Sequence, residues 1–476
     1  MTNLIAGIFV AISVIIGIYF AWKFQSRQQY FFAITLLVLC GLILRVFVAT
    51  DCYLHPWDER YHALVAKNLM TNPFIPALYK DPLLPYDYTS WISNHIWLHK
   101  QPFPLWSMAL SMKIFGVNEF ALRIPSVLLS TISILLLFYI GSFLYNKKVG
   151  FYSALLLTLY GFLIEITGGR DATDHIDTFF FSLILLSISF AVRFIETQKH
   201  RYIVFLGIGI GCAVLSKWLA ALIVFPIFFF LLLDSRRYTI NQILFFLLFT
   251  GFIATCIAAP WQIYIFHTFP KEAQWESTMN FRHFTEVVER HTGPFFYHFD
   301  HLQIKYGPFM YIPVIWFVWK TIKQWKNYRR EAIVMWFLVP YVLFTVAKTK
   351  LQGYTLFVAP ALFLITGLFI HYLLIYRHRF KYKWLPHAFL FGFFFFFLWQ
   401  TVERTKLLTT YDRNPVWSEE IKNLKVKGDA KQLVIFNAPH PIETMFYYDC
   451  IAYNTIQDQL VINKIKSKGY SVLILP

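Results

Sequence analysis

Two acids stand side by side in Trp57-Asp58-Glu59-Arg60-Tyr61, just beyond the hydrophobic stretch Tyr30 to Thr50. Adjacent carboxylates at the mouth of a membrane span are costly to hold near lipid and therefore point to chemistry. The loop they open, polar and aromatic-rich, runs to Gln101 and carries His99-Lys100-Gln101-Pro102. A shorter segment, Gly168 to Asp177, brings Arg170, Asp171, Asp174, His175 and Asp177 against the start of another apolar run. Later come Asn280-Phe281-Arg282-His283-Phe284, His291-Thr292-Gly293-Pro294 and Lys348-Thr349-Lys350-Leu351-Gln352-Gly353-Tyr354. Carboxylates that take a proton beside cations that hold an anion suit transfer of a group from a phosphate-bearing donor. A base activates an acceptor hydroxyl or amine while Lys and Arg stabilise the departing phosphate. An amphiphilic donor accounts for a site at the membrane surface.

The elements that must position these residues are membrane helices. Of 476 residues, 57% are hydrophobic, 52 are Phe and only 14% are charged, which excludes an ordinary soluble domain. Apolar runs lie at Leu4–Trp22, Tyr30–Thr50, Leu122–Tyr145, Val149–Thr167, Thr178–Ile195, Tyr202–Leu215, Trp218–Leu233, Ile240–Ala259, Pro308–Ile322, Ala332–Ala347, Tyr354–Ile375 and Trp384–Gln400. Since a crossing takes roughly 20 apolar residues, they predict an α-helical polytopic membrane protein of about 12 transmembrane helices (about 11–13). The short pair from Tyr202 to Leu233 is open to a re-entrant reading. Leu4–Trp22 lacks the basic start and small-residue cleavage site of a signal peptide and reads as a retained helix.

Lys and Arg set the orientation. Lys23 and Arg27, Lys147-Lys148, Lys199 to Arg201, Arg236-Arg237, Lys323 to Arg330 and Arg377 to Lys383 fall on every second connector, which makes those loops cytoplasmic. The acid-bearing loops 51–101 and 168–177, the long loop 260–307 and both termini then lie outside. The formal charge of +17 is accounted for by this anchoring and by attraction to anionic headgroups, and no nucleic-acid partner is implied. Past Thr401, short β-branched runs (Lys431 to Phe436, Tyr470 to Leu475) flank helix-like stretches such as Asp458 to Lys468. They predict a small extracytoplasmic α/β domain over 401–476, following a transmembrane domain over 1–400. Of five cysteines, Cys40, Cys212 and Cys256 fall inside predicted helices as core residues, while Cys52 and Cys450 are both external and free to pair in an oxidising compartment.

The order Asp58-Glu59-Arg60-Tyr61, then Lys100-x-Pro102 with Leu105-Trp106, then Phe115-Gly116-Val117-Asn118-Glu119-Phe120-Ala121-x-Arg123-x-Pro125 resembles the dolichyl-phosphate-mannose protein mannosyltransferase superfamily. Within it, the bacterial aminoarabinose lipid A transferase branch is the nearest. Thr173-Asp174 before Phe179-Phe180, Ser216-Lys217, Ala259-Pro260-Trp261 and Lys348-Thr349-Lys350-Leu351 continue the resemblance, which covers about Tyr30 to Ile375. The resemblance implies a GT-C-type fold and an inverting membrane glycosyltransferase that takes a polyprenyl-phosphate sugar and serves a lipid, glycan or protein acceptor. It implies a bacterial inner membrane with the active site facing the periplasm. Carried over by position, Asp58 is the base, Glu59 the neighbour that helps position the acceptor, and Asp174 the second-loop acid. Lys100 and Tyr354 stand near the carrier phosphate, with Arg282, His283, Lys348 and Lys350 as further donor-side candidates. His283 stands where many relatives have Arg, His99 replaces a common Glu, and Gln352-Gly353 replaces Pro-His. These departures point to an acceptor or sugar other than lipid A and aminoarabinose.

Blander readings stand beside these. Asp58 is otherwise a solvated loop acid, and Asp171, Asp174 and Asp177 compete to cap the helix beginning near Thr178. Lys100, Lys348 and Lys350 are otherwise snorkelling lysines. His95 and His99 share the i, i+4 spacing of metal ligands but lack the Glu of a zinc-protease helix, so no cofactor is assigned and a divalent metal is only an option. Phe389 to Trp399 reads as lipid-facing helix. A transporter or flippase of a lipid-linked sugar is the competing function. Transporters tend to carry paired repeats and mid-membrane ionisable residues, whereas here the acids sit in loops. An inactive scaffold sits poorly with intact Asp58, Lys100 and Asp174.

Overall fold

The computed structural model describes residues 2–171, 175–324, 326–424 and 432–475. Among these residues, eight helices are long and apolar enough to cross a membrane: Asn3–Ser26, Tyr30–Ala49, Glu119–Leu144, Asp177–Thr197, Arg201–Ser235, Ile240–Thr268, Gln352–Arg379 and Leu385–Thr405. The bent pair Lys147–Thr158 and Gly161–Thr167, kinked by 51°, makes a ninth if counted as one span. The chain is a multi-pass membrane protein. The expected runs Tyr202–Leu215 and Trp218–Leu233 are continuous through a 3₁₀ stretch at Trp218–Ile223, but the chain reverses there, since Lys217 meets Asp177 at the start of Asp177–Thr197 and Arg237 donates to the Ile195 carbonyl near that helix's end. Pro308–Ile322 and Ala332–Ala347 become the 13- and 19-residue helices Tyr311–Lys323 and Tyr328–Val346.

The chain divides into two compact units. The first comprises 1–48, 126–264 and 279–411 and holds most of the apolar helices. Its centre is packed through small residues: a Cβ at Gly141 would lie 2.8 Å from the Gly150 Cα, and one at Gly367 would lie 2.6 Å from Ser153 Oγ. Such close approach is how helices associate where lipid removes the hydrophobic drive. Arg45, fully buried in Tyr30–Ala49, is satisfied by Ser130 Oγ (3.0 Å) and the carbonyls of Gly41 (3.0 Å) and Leu157 (3.3 Å), which offsets the cost of a charge at that depth.

The second unit comprises 49–125, 265–278 and 412–476. It contains the helices Asp58–Leu69 and Pro102–Phe115 and the C-terminal α/β element. Pro102–Phe115 leaves Leu110, Ile114 and Phe115 exposed, as a helix lying on a membrane would, and ends at Gly116, whose φ of 88° favours glycine. The α/β element has three parallel strands, β1 (Leu433–Phe436), β2 (Ile451–Ala452) and β3 (Ser471–Ile474), in the order β2-β1-β3. The register sets Val434 opposite Ile451 and Val472, and β1 is buried throughout, as its unbroken apolar run requires of a central parallel strand. Cys52 is exposed, Cys450 is buried, and the two are not bridged.

Candidate active site

In the second unit, the strap 49–59 is gathered around Arg123. Its guanidinium donates to the carbonyls of Ala49 (3.1 Å), Asp51 (2.6 Å) and Tyr53 (2.6 Å) and reaches both Glu59 oxygens (2.7 and 3.0 Å). Glu59 also accepts from the His55 backbone N–H at 2.7 Å, and the His55 ring lies between Glu59 (2.6 Å) and Asp51 (3.2 Å). Burial alone raises the Glu59 carboxyl, but Arg123 and His55 outweigh it and hold the group well below the usual carboxylate range. Trp57, at φ 68°, turns the chain sharply into the helix Asp58–Leu69. Asp58 and Glu59 thus occupy the first turn, where the helix dipole favours negative charge.

The two acids have different surroundings. Glu59 is 2% exposed and its oxygens are consumed by the clamp. Asp58 keeps 16% of its side-chain surface, with Oδ2 3.9 Å from the Lys100 ammonium, itself 15% exposed. A carboxylate and an ammonium named separately for proton and phosphate therefore face each other. Lys100 follows His99, which stacks on Trp91 (4.9 Å) and contacts Glu276 at 3.4 Å. Tyr86 donates to Glu272 at 2.6 Å, a bond that pushes the phenol up to about 12, and stacks on His95 at 3.8 Å. His95 and His99 are not on a helix, and each is held in a different ring stack.

The first unit gathers a second set of charges. Asp177 opens the helix Asp177–Thr197 without capping it and pairs with Lys217, which ends Arg201–Lys217 where Trp218 takes φ 55°. Asp171 accepts from the Gln352 amide at 3.0 Å and lies 4.0 Å from Arg404, which also pairs with Glu165. Lys217 lies over the Tyr354 ring at 5.5 Å. Lys305, 2% exposed, donates to the Gln352 carbonyl and to Thr355 Oγ1 (3.0 Å). Burial first, then repulsion from Arg404 and Lys217, pushes its ammonium down to about 7 against the attraction of Asp177 and Asp171. Burial and the neighbouring Lys305 and Lys350 likewise push His298 down to about 3.

The structure thus brings Asp58, Glu59 and Lys100 together in one unit and sets Tyr354 beside Lys217 in the other. Lys350 spends its ammonium on the carbonyls of Phe344 (3.0 Å) and Thr345 (2.7 Å), Arg282 pairs with Glu286 (2.7 Å), His283 bonds the Met279 carbonyl (2.7 Å), and Lys348 is exposed. Asp174 lies outside the described residues. Sequence reasoning did not single out Lys305 or Arg404, which lie in no motif, and gave Arg123 no role. The one available signal was a cation at the edge of an apolar run.

Residues 99–264 match the family model described as dolichyl-phosphate-mannose-protein mannosyltransferase. An uncharacterized protein of Aquifex aeolicus is 24% identical over 66% of this chain and 59% of its own. The undecaprenyl phosphate-alpha-4-amino-4-deoxy-L-arabinose arabinosyl transferase 2 of Proteus mirabilis is 24% identical over 57% of this chain and 50% of its own. The chain therefore spans only about half the length of the relatives it matches. Among solved structures, ArnT from Cupriavidus metallidurans bound to undecaprenyl phosphate superposes with a TM-score of 0.64 at 14% identity, over 92% of this chain and 89% of that one. The archaeal oligosaccharyltransferase AglB from Archaeoglobus fulgidus, in complex with an inhibitory peptide and a dolichol-phosphate, gives 0.57 at 12% identity, over 89% and 64%. The chain has the fold these proteins share.

Proposed function

We propose that this chain, a member of the GT-C glycosyltransferase superfamily, transfers a sugar from a polyprenyl-phosphate donor to a lipid, glycan or protein acceptor. We place the reaction on the periplasmic side of a bacterial inner membrane. The observation that carries the reading is the pairing of Asp58, sheltered yet reachable, with Lys100 at 3.9 Å. The Asp58 carboxylate takes the proton of the acceptor hydroxyl or amine as that atom bonds to the anomeric carbon. The bond from the anomeric carbon to the phosphate oxygen breaks, and the polyprenyl phosphate leaves with the electron pair, its charge met by Lys100. Attack opposite the leaving group inverts the anomeric configuration. Glu59 acts through the Arg123 clamp as a positioning residue for its neighbour. Asp174 is assigned as the second acid, and Tyr354, Arg282, His283, Lys348 and Lys350 as donor-side groups, Tyr354 foremost because Lys217 lies over its ring.

Asp58→Asn preserves size and hydrogen bonding but accepts no proton. Purified in detergent, it is expected to bind polyprenyl-phosphate sugar as the parent does and to transfer it at least about a hundredfold more slowly. Near-parental turnover with both substrates saturating removes Asp58 from the role of base.

A further inference from the structure

The helix Pro270–Thr285 buries Glu272, Ala273 and Glu276 on its inner side, where Tyr86 and His99 meet the two acids. Lys271, Gln274, Trp275 and Thr278 follow the i, i+3, i+4, i+7 spacing and so share an adjoining side. With Pro270 and Tyr88 they line an open pocket of about 410 Å³, the size of a small-molecule site. The Tyr88 ring meets Trp275 edge to face at 6.5 Å. This pocket is held in shape from below. Tyr86 is fixed by Glu272 and His95, and the Asp87 carboxylate accepts from the Thr89 N–H and hydroxyl at 2.8 and 2.6 Å, so Tyr88 sits between anchored neighbours.

The lining has a definite chemistry. The Tyr88 and Trp275 rings, set edge to face, offer apolar surface to the C–H side of a pyranose ring, and the Gln274 amide and Thr278 hydroxyl can pair with its hydroxyls. Lys271 is exposed and supplies a point charge for a phosphate or carboxylate. An acyl chain has no use for these polar groups. The same helix reaches the reacting centre, since Glu276 contacts His99 and the next residue is Lys100. We propose that this pocket binds a sugar ring of a negatively charged saccharide, the part of the acceptor remote from the atom that is glycosylated. The proposal rests on the glycosyl-transfer reading; a remote contact of this kind is where binding energy is gathered for the reacting end.

The test is equilibrium binding by the full chain in phosphatidylcholine nanodiscs, read as saturation transferred to glucose 1-phosphate and to methyl glucoside. Ring protons of both are expected to be saturated, glucose 1-phosphate more strongly. Trp275→Ala and Tyr88→Ala should each cut the signal about fivefold, and Trp275→Phe should retain most of it. Lys271→Gln, at an exposed position, should erase the preference for the phosphorylated sugar. Undiminished signal in both alanine variants overturns the proposal. So does a site where inorganic phosphate competes fully and methyl glucoside gives nothing, or one emptied by adding phosphatidylglycerol to the discs, which marks a lipid headgroup. Binding needs no turnover: Asp58→Asn is expected to keep the full signal. A protein that binds sugar but transfers nothing refutes the reaction alone, and one that transfers sugar without pocket signal refutes the pocket alone.

Discussion

Asp58 and Glu59 are adjacent in the chain, yet Glu59 gives its oxygens to Arg123 and His55 while Asp58 faces Lys100. The sequence shows two equivalent carboxylates. Which of them is committed depends on Arg123, 64 residues away, and no local pattern reports that distance. Lys305 is a sharper case, since it sits in the polar stretch Tyr297–Tyr306 and is nonetheless buried. Its ammonium is pushed down to about 7, whereas a lysine in the unfolded chain holds its proton to about 10.4. Between those values the unfolded state binds more protons, so stability rises with pH across that window; below about 7 both states are protonated and the dependence fades. Lys305→Met is expected to flatten the rise. Thermal unfolding of parent and variant at pH 6.5, 8 and 9 checks this, because other groups titrating there are common to both. Parallel curves would place the Lys305 proton at its ordinary value.

At the scale of elements, the apolar runs announced most of the long helices, and Leu433–Phe436 and Ser471–Ile474 appeared as strands where β-branched runs were seen. The helix Asp58–Leu69 was read only as loop because it opens with three charged residues and its apolar positions face the interior of a unit whose other segments are distant in sequence. The break at Trp218 was legible as a short pair, but whether such a pair crosses is decided by packing. The strap 49–59 is the element on which the candidate chemistry depends, and its hold is ionic. Removing one partner of a buried pair strands the other, at a cost of about 3–5 kcal/mol. Arg123→Met is therefore expected to destabilise the protein strongly. Arg123→Met combined with Glu59→Met should recover part of that loss, and the double-mutant cycle from thermal melts should show coupling of at least about 1 kcal/mol. Simple additivity would show that the clamp contributes nothing as a pair.

For the whole molecule, the alternation of basic connectors predicts a sidedness. Asn454, just past β2, is expected to lie outside. With the native cysteines replaced, Asn454→Cys should react with an impermeant thiol reagent in intact spheroplasts, and reaction only after lysis reverses the topology. The tail adds a matter of timing. Lys67 donates to the carbonyls of Met445, Phe446 and Tyr448, Arg60 meets Glu443, and Lys422 pairs with Glu119. Lys67 is separated from Met445 by 378 positions, so at translation speeds of roughly 5–20 residues per second it waits on the order of 20–80 s for its partner. Throughout that interval the helix Asp58–Leu69 lacks these partners. Until residues 412–476 emerge the second unit is unfinished, and a nascent chain cut short before them is expected to be membrane-inserted yet sensitive to proteases within residues 49–125.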